Sequence, residues 1–344
     1  MPPALPKPPE VARVLRQVTQ TVRRHAMFEP GTSAVVAVSG GPDSICLLHS
    51  LVRLRRLLKI EPLCFHFDHR LRPGSDRDAA YVRRQAERLG VEFLLRAATS
   101  RPARGESKEA WARTVRYEAL FRAVEDTGSS AAAVGHTADD QAETVLLGLV
   151  RGGGLDAIRA MEPVAQPVVR PLLDTTREQT TSFCRALRLR PRRDPMNEDR
   201  AYLRAALRTE VIPLLERSVD RNVRATLART AELLRVDSAF LQQLAEEAAD
   251  DLLAPAREGE ARLRVDGLRR TPRALSSRVA RRVLLDLGVL PQLAHIESLL
   301  DLAEARRGAR VSLPGGLLAT REREYVRVLR PSPRRGHAAP AAAT

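Results

Sequence analysis

The six residues Ser39-Gly40-Gly41-Pro42-Asp43-Ser44 carry the first chemistry that can be read from this chain. They follow an apolar run, Ala34 to Val38, and precede another that begins near Ile45. A strand that feeds a glycine turn and opens a helix leaves several unpaired amides aimed at one point, and that point attracts phosphate. The Ser39 and Ser44 hydroxyls add donors. The spacing is neither the G-x-x-x-x-G-K-S/T of P-loop nucleotide sites nor the G-x-G-x-x-G of dinucleotide sites. A tight turn without a ligand is the plain alternative. Asp43 argues against it, because a carboxylate among phosphate-binding amides implies a bridging Mg²⁺.

Three further clusters could share that chemistry. His66-Phe67-Asp68-His69-Arg70-Leu71-Arg72 lies at the carboxyl end of a second apolar run, the edge at which open α/β sheets bind ligands. His66, Asp68 and His69 resemble a metal cluster only superficially; positioning a nucleotide, with Arg72 offered to phosphate, is the more economical role. On Lys108 to Tyr117, the residues Glu109, Arg113, Arg116 and Tyr117 fall on one helix face, where a solvated Glu–Arg ladder is the alternative to a site. In Gly135-His136-Thr137-Ala138-Asp139-Asp140-Gln141-Ala142-Glu143-Thr144, Asp139 and Glu143 share a helix face with Asp140 beside them. Acids at a helix start could merely complement its dipole. Three of them with His136 at a sheet edge point instead to Mg²⁺ or a polar substrate. Arg151-Gly152-Gly153-Gly154 then forms a cationic turn suited to phosphate or RNA.

These clusters need a scaffold, and the periodicity supplies one. Helices are expected over 11–28, 45–58, 76–89, 108–126 and 139–150, and strands over 34–38, 62–67, 91–95 and 131–134. Alternating strands and helices imply an α/β fold with a doubly wound parallel sheet. After Gly154 the pattern weakens, and Arg170 to Leu173 and Arg190 to Pro195 read as loops. Helices return at 223–253, 272–287 and 292–306, and the pieces 311–320 and 325–329 suggest a small β-hairpin. The expected domains are 1–219, a helical domain over 220–290, a small α/β segment over 291–330, and a disordered Pro/Ala-rich tail over 331–344.

Composition narrows the function. The chain has 344 residues and a formal net charge of +15, carried almost wholly by arginine, since Lys7, Lys59 and Lys108 are its only lysines. Such an excess favours a polyanion such as nucleic acid, although an Arg-rich genome would also produce it. Cys46, Cys64 and Cys184 form no C-x-x-C pair, so the usual zinc and redox spacings are missing. No apolar run approaches the roughly 20 residues that cross a bilayer. The N-terminus lacks the apolar core of a signal peptide. A soluble, cytoplasmic protein is expected.

The loop Ser39 to Ser44 resembles the S-G-G-x-D-S signature of the PP-loop ATP pyrophosphatases, which adenylate a carbonyl oxygen and release pyrophosphate. Taken in order, further segments resemble one branch, the tRNA(Ile)-lysidine synthetases. They are Asp68 to Arg72, Ala112 to Tyr117, His136 to Thr144, Arg151 to Gly154, Arg170 to Leu173, Asp194 to Asn197 and Tyr202 to Arg204. Together with the loop they cover about residues 34–208. Thr137 stands where the family often has a second histidine, and Ala205 where it usually has asparagine. The C-terminal part is shorter than in long members.

The resemblance implies a Rossmann-like PP-loop fold and a ligase that joins free lysine to C2 of the wobble cytidine of an isoleucine tRNA with a CAU anticodon, through an adenylated cytidine. It implies ATP and Mg²⁺ as cofactors, tRNA and L-lysine as partners, and no membrane; a homodimer is a further expectation. The implied catalytic residues are Asp43, Arg113, Asp139, Asp140 and Glu143, with Asp43 and Asp139 on metal. ATP would contact Ser39 to Ser44, His66, Asp68, His69, Arg72 and His136. RNA would contact Arg116, Tyr117, Arg151, Gly152, Arg204 and Arg208, and the net charge would hold its backbone. The rivals are a tRNA thiolation enzyme, an ammonia-using synthetase of the same superfamily, and an RNA-binding protein on an inactive nucleotide fold.

Overall fold

The computed structural model describes residues 8–71, 74–152, 154–192, 203–219 and 222–330. The chain divides into two compact units, one running to Arg235 and the other from Val236. In chain order the first contains α1 (Pro9–Arg24), β1 (Thr32–Ala37), α2 (Pro42–Leu58), β2 (Ile60–Asp68), α3 (Ser75–Leu89), β3 (Phe93–Ala97), α4 (Lys108–Thr127), β4 (Ala131–Ala133), α5 (Ala138–Val150) and α6 (Leu155–Ile158). It continues with β5 (Val164–Ala165), β6 (Val168–Val169), α7 (Arg177–Ala186), α8 (Leu203–Ala206), a π-helical turn (Leu207–Val211), α9 (Ile212–Val219) and the start of α10 (Val223–Leu252).

The six strands lie in the order β3-β2-β1-β4-β6-β5, parallel except for the edge strand β5. The chain builds outward from β1 to β3 and then returns to the other side of β1 as β4. Between the carboxyl ends of β1 and β4 the winding therefore changes direction, which is where such sheets open a ligand crevice. β1 shows why the sheet is buried on both faces. Val36 packs with α1, α2 and α7 residues such as Val18, Leu47 and Phe183, whereas Val35 packs with Leu120 and Val124 of α4. An uninterrupted apolar strand is what a doubly covered parallel sheet requires. The expected α1 stripe, Val11, Val14, Leu15, Val18 and Val22, is buried throughout.

The expected four parallel strands are present, and the structure adds β5 and β6. Each is only two residues long, and they flank the cis Gln166–Pro167 bond, so neither has the length that periodicity can detect.

The second unit contains the end of α10, then β7 (Leu253–Ala254), β8 (Glu260–Arg264), α11 (Val265–Arg270), α12 (Arg273–Asp286), α13 (Leu293–Asp301), β9 (Arg310–Leu313), β10 (Leu317–Arg321) and β11 (Tyr325–Leu329). Its strands form one antiparallel sheet, β7-β8-β11-β10-β9, larger than the expected hairpin. The expected division between 220–290 and 291–330 does not match the packing. Leu263, Val279 and Leu284 share one core with Leu299, Val326 and Val328. The expected boundary at 219/220 also differs from the division at 235/236, which falls within α10. β8 escaped notice because its sequence, Glu-Ala-Arg-Leu-Arg, buries only small or single apolar side chains between charges. Glu260 offsets that charge by bonding Arg262 within its strand and Arg327 of β11 across the sheet. Among the described residues no helix is long and apolar enough to cross a membrane.

Candidate active site at the sheet edge

The loop after β1 is built largely by its own backbone. Gly40 has φ +97°, a conformation that favours glycine. Its N–H donates to Ser44 Oγ at 3.2 Å, and Ser44 Oγ donates to the Gly41 carbonyl at 3.0 Å. Gly41 and Pro42 then start α2, with Asp43 in its first turn, so the free amides of the helix start face the crevice. Gly135, at the end of β4, lies directly behind this turn. A β-carbon there would stand 3.2 Å from Ser44 N and 3.3 Å from the Asp43 carbonyl carbon. His66 is buried at the end of β2, and its Nδ1 donates to the Val38 carbonyl at 2.7 Å. Burial lowers its pKa, leaving the ring neutral and bracing the strand that leads into the loop.

Opposite the loop, α5 and α7 bring the acids together. Thr137, where the family often has histidine, caps α5, and Asp140 Oδ2 accepts from its N–H at 2.8 Å and its hydroxyl at 2.9 Å. Arg177, the first residue of α7, joins the whole group. Its Nε donates to Asp43 Oδ2 at 3.2 Å and its Nη2 to Asp140 Oδ1 at 3.1 Å. Its Nη1 lies 3.6 Å from Glu143 Oε1, and its backbone N–H donates to Asp139 Oδ2 at 2.8 Å. The Thr180 hydroxyl donates to Asp43 Oδ1. Glu143 is 1% exposed and makes a two-point pair with Arg208, at 2.6 and 2.9 Å. Arg224 pairs with Asp139 Oδ1 at 3.2 Å.

These neighbours set the protonation states. Burial raises the Asp43 pKa, against the opposing pull of Arg177 and Thr180. Burial acts in the same direction on Asp140, but Arg177, His136, the Thr137 amide and Arg208 outweigh it and the pKa falls. The acids in turn raise Arg177 above its ordinary value despite its own desolvation. His136 is pushed down to about 3 by burial, with Arg170 adding to the effect and Asp140 opposing it. Its Nδ1 accepts from Arg170 Nε at 3.2 Å, so the ring is neutral with its proton on Nε2.

The remaining expected residues fall into place unevenly. Arg113 is exposed and lies over the Tyr117 ring at 4.9 Å, with Arg116 5.6 Å from the same ring. Arg116 is half-buried, and burial lowers its pKa, with Arg113 adding to the effect and Tyr117 opposing it. Asp68 accepts from the Arg70 N–H at 2.8 Å as a local turn, and His69 packs edge-on to Phe67 with ring centres 4.8 Å apart. Arg151 and Gly152 are exposed after α5. Arg72, Gly153, Arg193, Asp194 to Asn197 and Tyr202 lie outside the described residues.

Arg204 and Arg208, expected at RNA, make contacts with α5. Arg204 donates to Thr144 Oγ1 at 3.0 Å and lies 3.9 Å from Glu143, while Arg208 grips Glu143. A buried carboxylate needs a partner, and the π-helical turn at Leu207–Val211 carries one of them. The sequence reading missed Arg170, Arg177, Thr180 and Arg224 as site residues. A signal for Arg177 exists: Thr176-Arg177-Glu178-Gln179 is a capping box, with Thr176 and Gln179 bonding reciprocally, and it marks a helix start at the residue before Arg177.

A divalent metal would draw on the same acids. Asp43 is the better candidate, since its oxygens are held by the side chains of Arg177 and Thr180 and not by backbone. One Asp139 oxygen is tied to a backbone amide. Among the described residues no group of three or more His, Cys, Asp or Glu is arranged to hold a metal unaided. Asp43 would supply one of the one or two carboxylates that Mg²⁺ takes from protein when nucleotide phosphates complete its shell.

A glycine-turn phosphate loop at the switch point of a parallel sheet defines a PP-loop nucleotide-binding protein, and the PP-loop domain family matches residues 10–215. The chain is 36% identical over 339 residues to the tRNA(Ile)-lysidine synthase of Nostoc sp., a match covering 93% of this chain and 98% of that protein. It is 38% identical over 330 residues to the enzyme of that name from Geobacter sulfurreducens, covering 90% and 68%. With the Thermus thermophilus protein of the same name it shares 41% over 309 residues, covering 89% of this chain and 58% of that longer one. This chain belongs to the tRNA(Ile)-lysidine synthase family. A U34-tRNA thiolase from Methanococcus maripaludis superposes with a TM-score of 0.57 at 15% identity, over 66% of this chain and 80% of that one, which shows a shared fold.

Proposed function

We propose that this protein uses ATP to ligate free lysine to C2 of the wobble cytidine of an isoleucine tRNA with a CAU anticodon, forming lysidine and releasing AMP and pyrophosphate. The observation that carries the reading is the bridge from Asp43 through Arg177 to Asp140. It places a phosphate-binding loop and an acid cluster around one guanidinium at the switch point of the sheet. The chemistry needs both parts. The C2 oxygen of cytidine leaves poorly until it is adenylated, and the amine that replaces it must first be bound and neutralised.

The loop amides and the Ser39 and Ser44 hydroxyls hold the phosphates. Asp43 would hold Mg²⁺, which neutralises charge on the departing pyrophosphate. Arg113 is exposed beside Tyr117 and is assigned to the adenylation step, where it meets the same developing charge. Asp139 and Asp140 are assigned to the ammonium group of lysine and to receiving its proton. Glu143, buried and gripped by Arg208, holds the arginine side of the cluster in place. The exposed Arg151 and Gly152 and the Arg116–Tyr117 face are assigned to the anticodon loop, whose bases are open without duplex melting.

The cysteines give no support to the thiolation alternative. All three are buried, Cys46 is raised well above its ordinary value by burial, and Cys64 and Cys184 are pushed up to about 12, also by burial. Sulfur transfer needs an accessible thiolate.

The test is incorporation of labelled lysine into bacterial tRNA, with ATP and Mg²⁺ present or withheld. ATP-dependent label that survives the mild base that strips aminoacyl esters is the expected result. RNA-dependent pyrophosphate release without label would move the nucleophile to sulfur or ammonia. Neither label nor pyrophosphate release would leave an RNA-binding protein.

A further inference from the structure

We propose that Arg177 is a positioning residue that acts as the resident counter-cation of the acid cluster, and that a divalent metal ion arriving with nucleotide takes Asp43 from it. The inference deepens the proposed function and rests on it for the identity of the arriving ligand.

Three observations carry the proposal. First, each of the four acids already has a cationic partner: Asp43, Asp139, Asp140 and Glu143 face Arg177, Arg204, Arg208 and Arg224, the last of which also pairs with Glu216. A metal ion that takes an oxygen of one of these acids competes with the arginine already there. Second, the contacts differ in how readily they yield. Glu143 is 1% exposed and held at two points by Arg208, and Asp139 is bound to the Arg177 backbone amide. Asp43 meets Arg177 only through Nε, at 3.2 Å. Third, Asp43 is the acid on the phosphate-loop side, in the first turn of α2. If Nε leaves Asp43, the two Nη groups can still rest on Asp140 and Glu143, so the guanidinium stays in the site.

Arg177 therefore does two things before substrate arrives. It bridges closely spaced carboxylates, and it occupies the position that a cation will use. A planar guanidinium released from one carboxylate also presents free N–H donors, and these suit phosphate oxygens. The metal thereby takes over Asp43 while Arg177 becomes available to the nucleotide.

The experiment uses the full-length protein and Mn²⁺ as the probe, without nucleotide or tRNA, with free Mn²⁺ measured by electron paramagnetic resonance. Removing a unit charge a few ångströms from Asp43 is expected to tighten Mn²⁺ binding about tenfold in Arg177→Gln. Arg177→Lys, which restores the charge, is expected to return most of the way to wild type. Adding Asp43→Asn to Arg177→Gln is expected to abolish the gain. Equal Mn²⁺ affinity in wild type and Arg177→Gln overturns the proposal, as does a gain that survives Asp43→Asn. A gain in L-lysine affinity without one for Mn²⁺ also overturns it, because the displacing cation is then an ammonium group.

If Arg177→Gln does not fold, the wild-type protein supplies the answer. The Arg177 Nε–H resonance, assigned by its loss in Arg177→Lys, is expected to lose protection from solvent exchange on saturation with Mg²⁺ and a non-hydrolysable ATP analogue. Unchanged protection overturns the proposal. Lysidine formation is measured separately. An active enzyme without the Mn²⁺ effect defeats this inference alone, and an inactive one with the effect defeats only the proposed function.

Discussion

The two halves of the crevice are made in opposite ways. The Ser39–Ser44 loop is a backbone construction. It depends on a positive φ at Gly40, on a hydroxyl folded onto its own turn, and on Gly135 lying against it with no room for a side chain. The cluster on α5 and α7 is a side-chain construction, three carboxylates, Asp139, Asp140 and Glu143, held by arginines drawn from four later positions. The loop should therefore be sensitive to volume and indifferent to modest changes of charge, and the cluster the reverse. One half presents fixed dipoles to phosphate; the other presents charges that can exchange partners.

The sharpest way to break this contrast is Glu143→Gln, which keeps the volume and removes the charge. Arg208 and Arg177 then lose a buried carboxylate, and the expected loss is about 3–5 kcal/mol in equilibrium urea unfolding. A loss below about 1 kcal/mol would mean that the cluster is not held by charge. The converse is Gly135→Ala, which adds one carbon and no charge. Overpacking against Ser44 and Asp43 is expected to cost about 1–3 kcal/mol and to weaken ATP binding, as calorimetry would show. Unchanged nucleotide affinity would separate the loop from its backing strand.

A third test uses pH. His136 titrates at about 3 in the folded protein, against an ordinary value of 6.5. Its contribution to stability is thus complete above about pH 6.5 and is lost as the pH falls from there toward 3, because the unfolded chain takes up the proton first. The expected slope is up to about 1.4 kcal/mol per pH unit. Subtracting the unfolding profile of His136→Gln isolates it from the other histidines, and identical profiles would refute a buried neutral ring. The smallest effect is expected from Thr176→Ala. Loss of the α7 cap costs about 1 kcal/mol in thermal unfolding and loosens the amide that holds Asp139.

The same contrast explains what the sequence could reveal. The loop and the α5 acids are contiguous, so spacing alone placed Ser39 to Ser44 and Asp139 to Glu143 at strand ends. The parallel sheet was legible because β1 and β2 are long and apolar. β5, β6 and β8 were not, being either two residues long or charged at alternate positions. The arginine side of the site was hidden for a different reason. In a chain this rich in arginine, residue type does not distinguish the one that meets Glu143 from those in solvent. Arg204 and Arg208 were accordingly assigned to RNA, and Arg177 and Arg224 were missed. Only the capping box around Thr176 pointed toward Arg177, and it marks a helix start without showing where the guanidinium goes.

The Arg177–Asp43 bond spans 134 positions of the chain. Synthesis runs from the N-terminus, so the loop and the α5 acids leave the ribosome well before the arginines that neutralise them. The pairs that neutralise Glu143 and Asp139 wait for Arg208 and Arg224. The crevice thus gains its last counter-charge only when nearly the whole first unit is present.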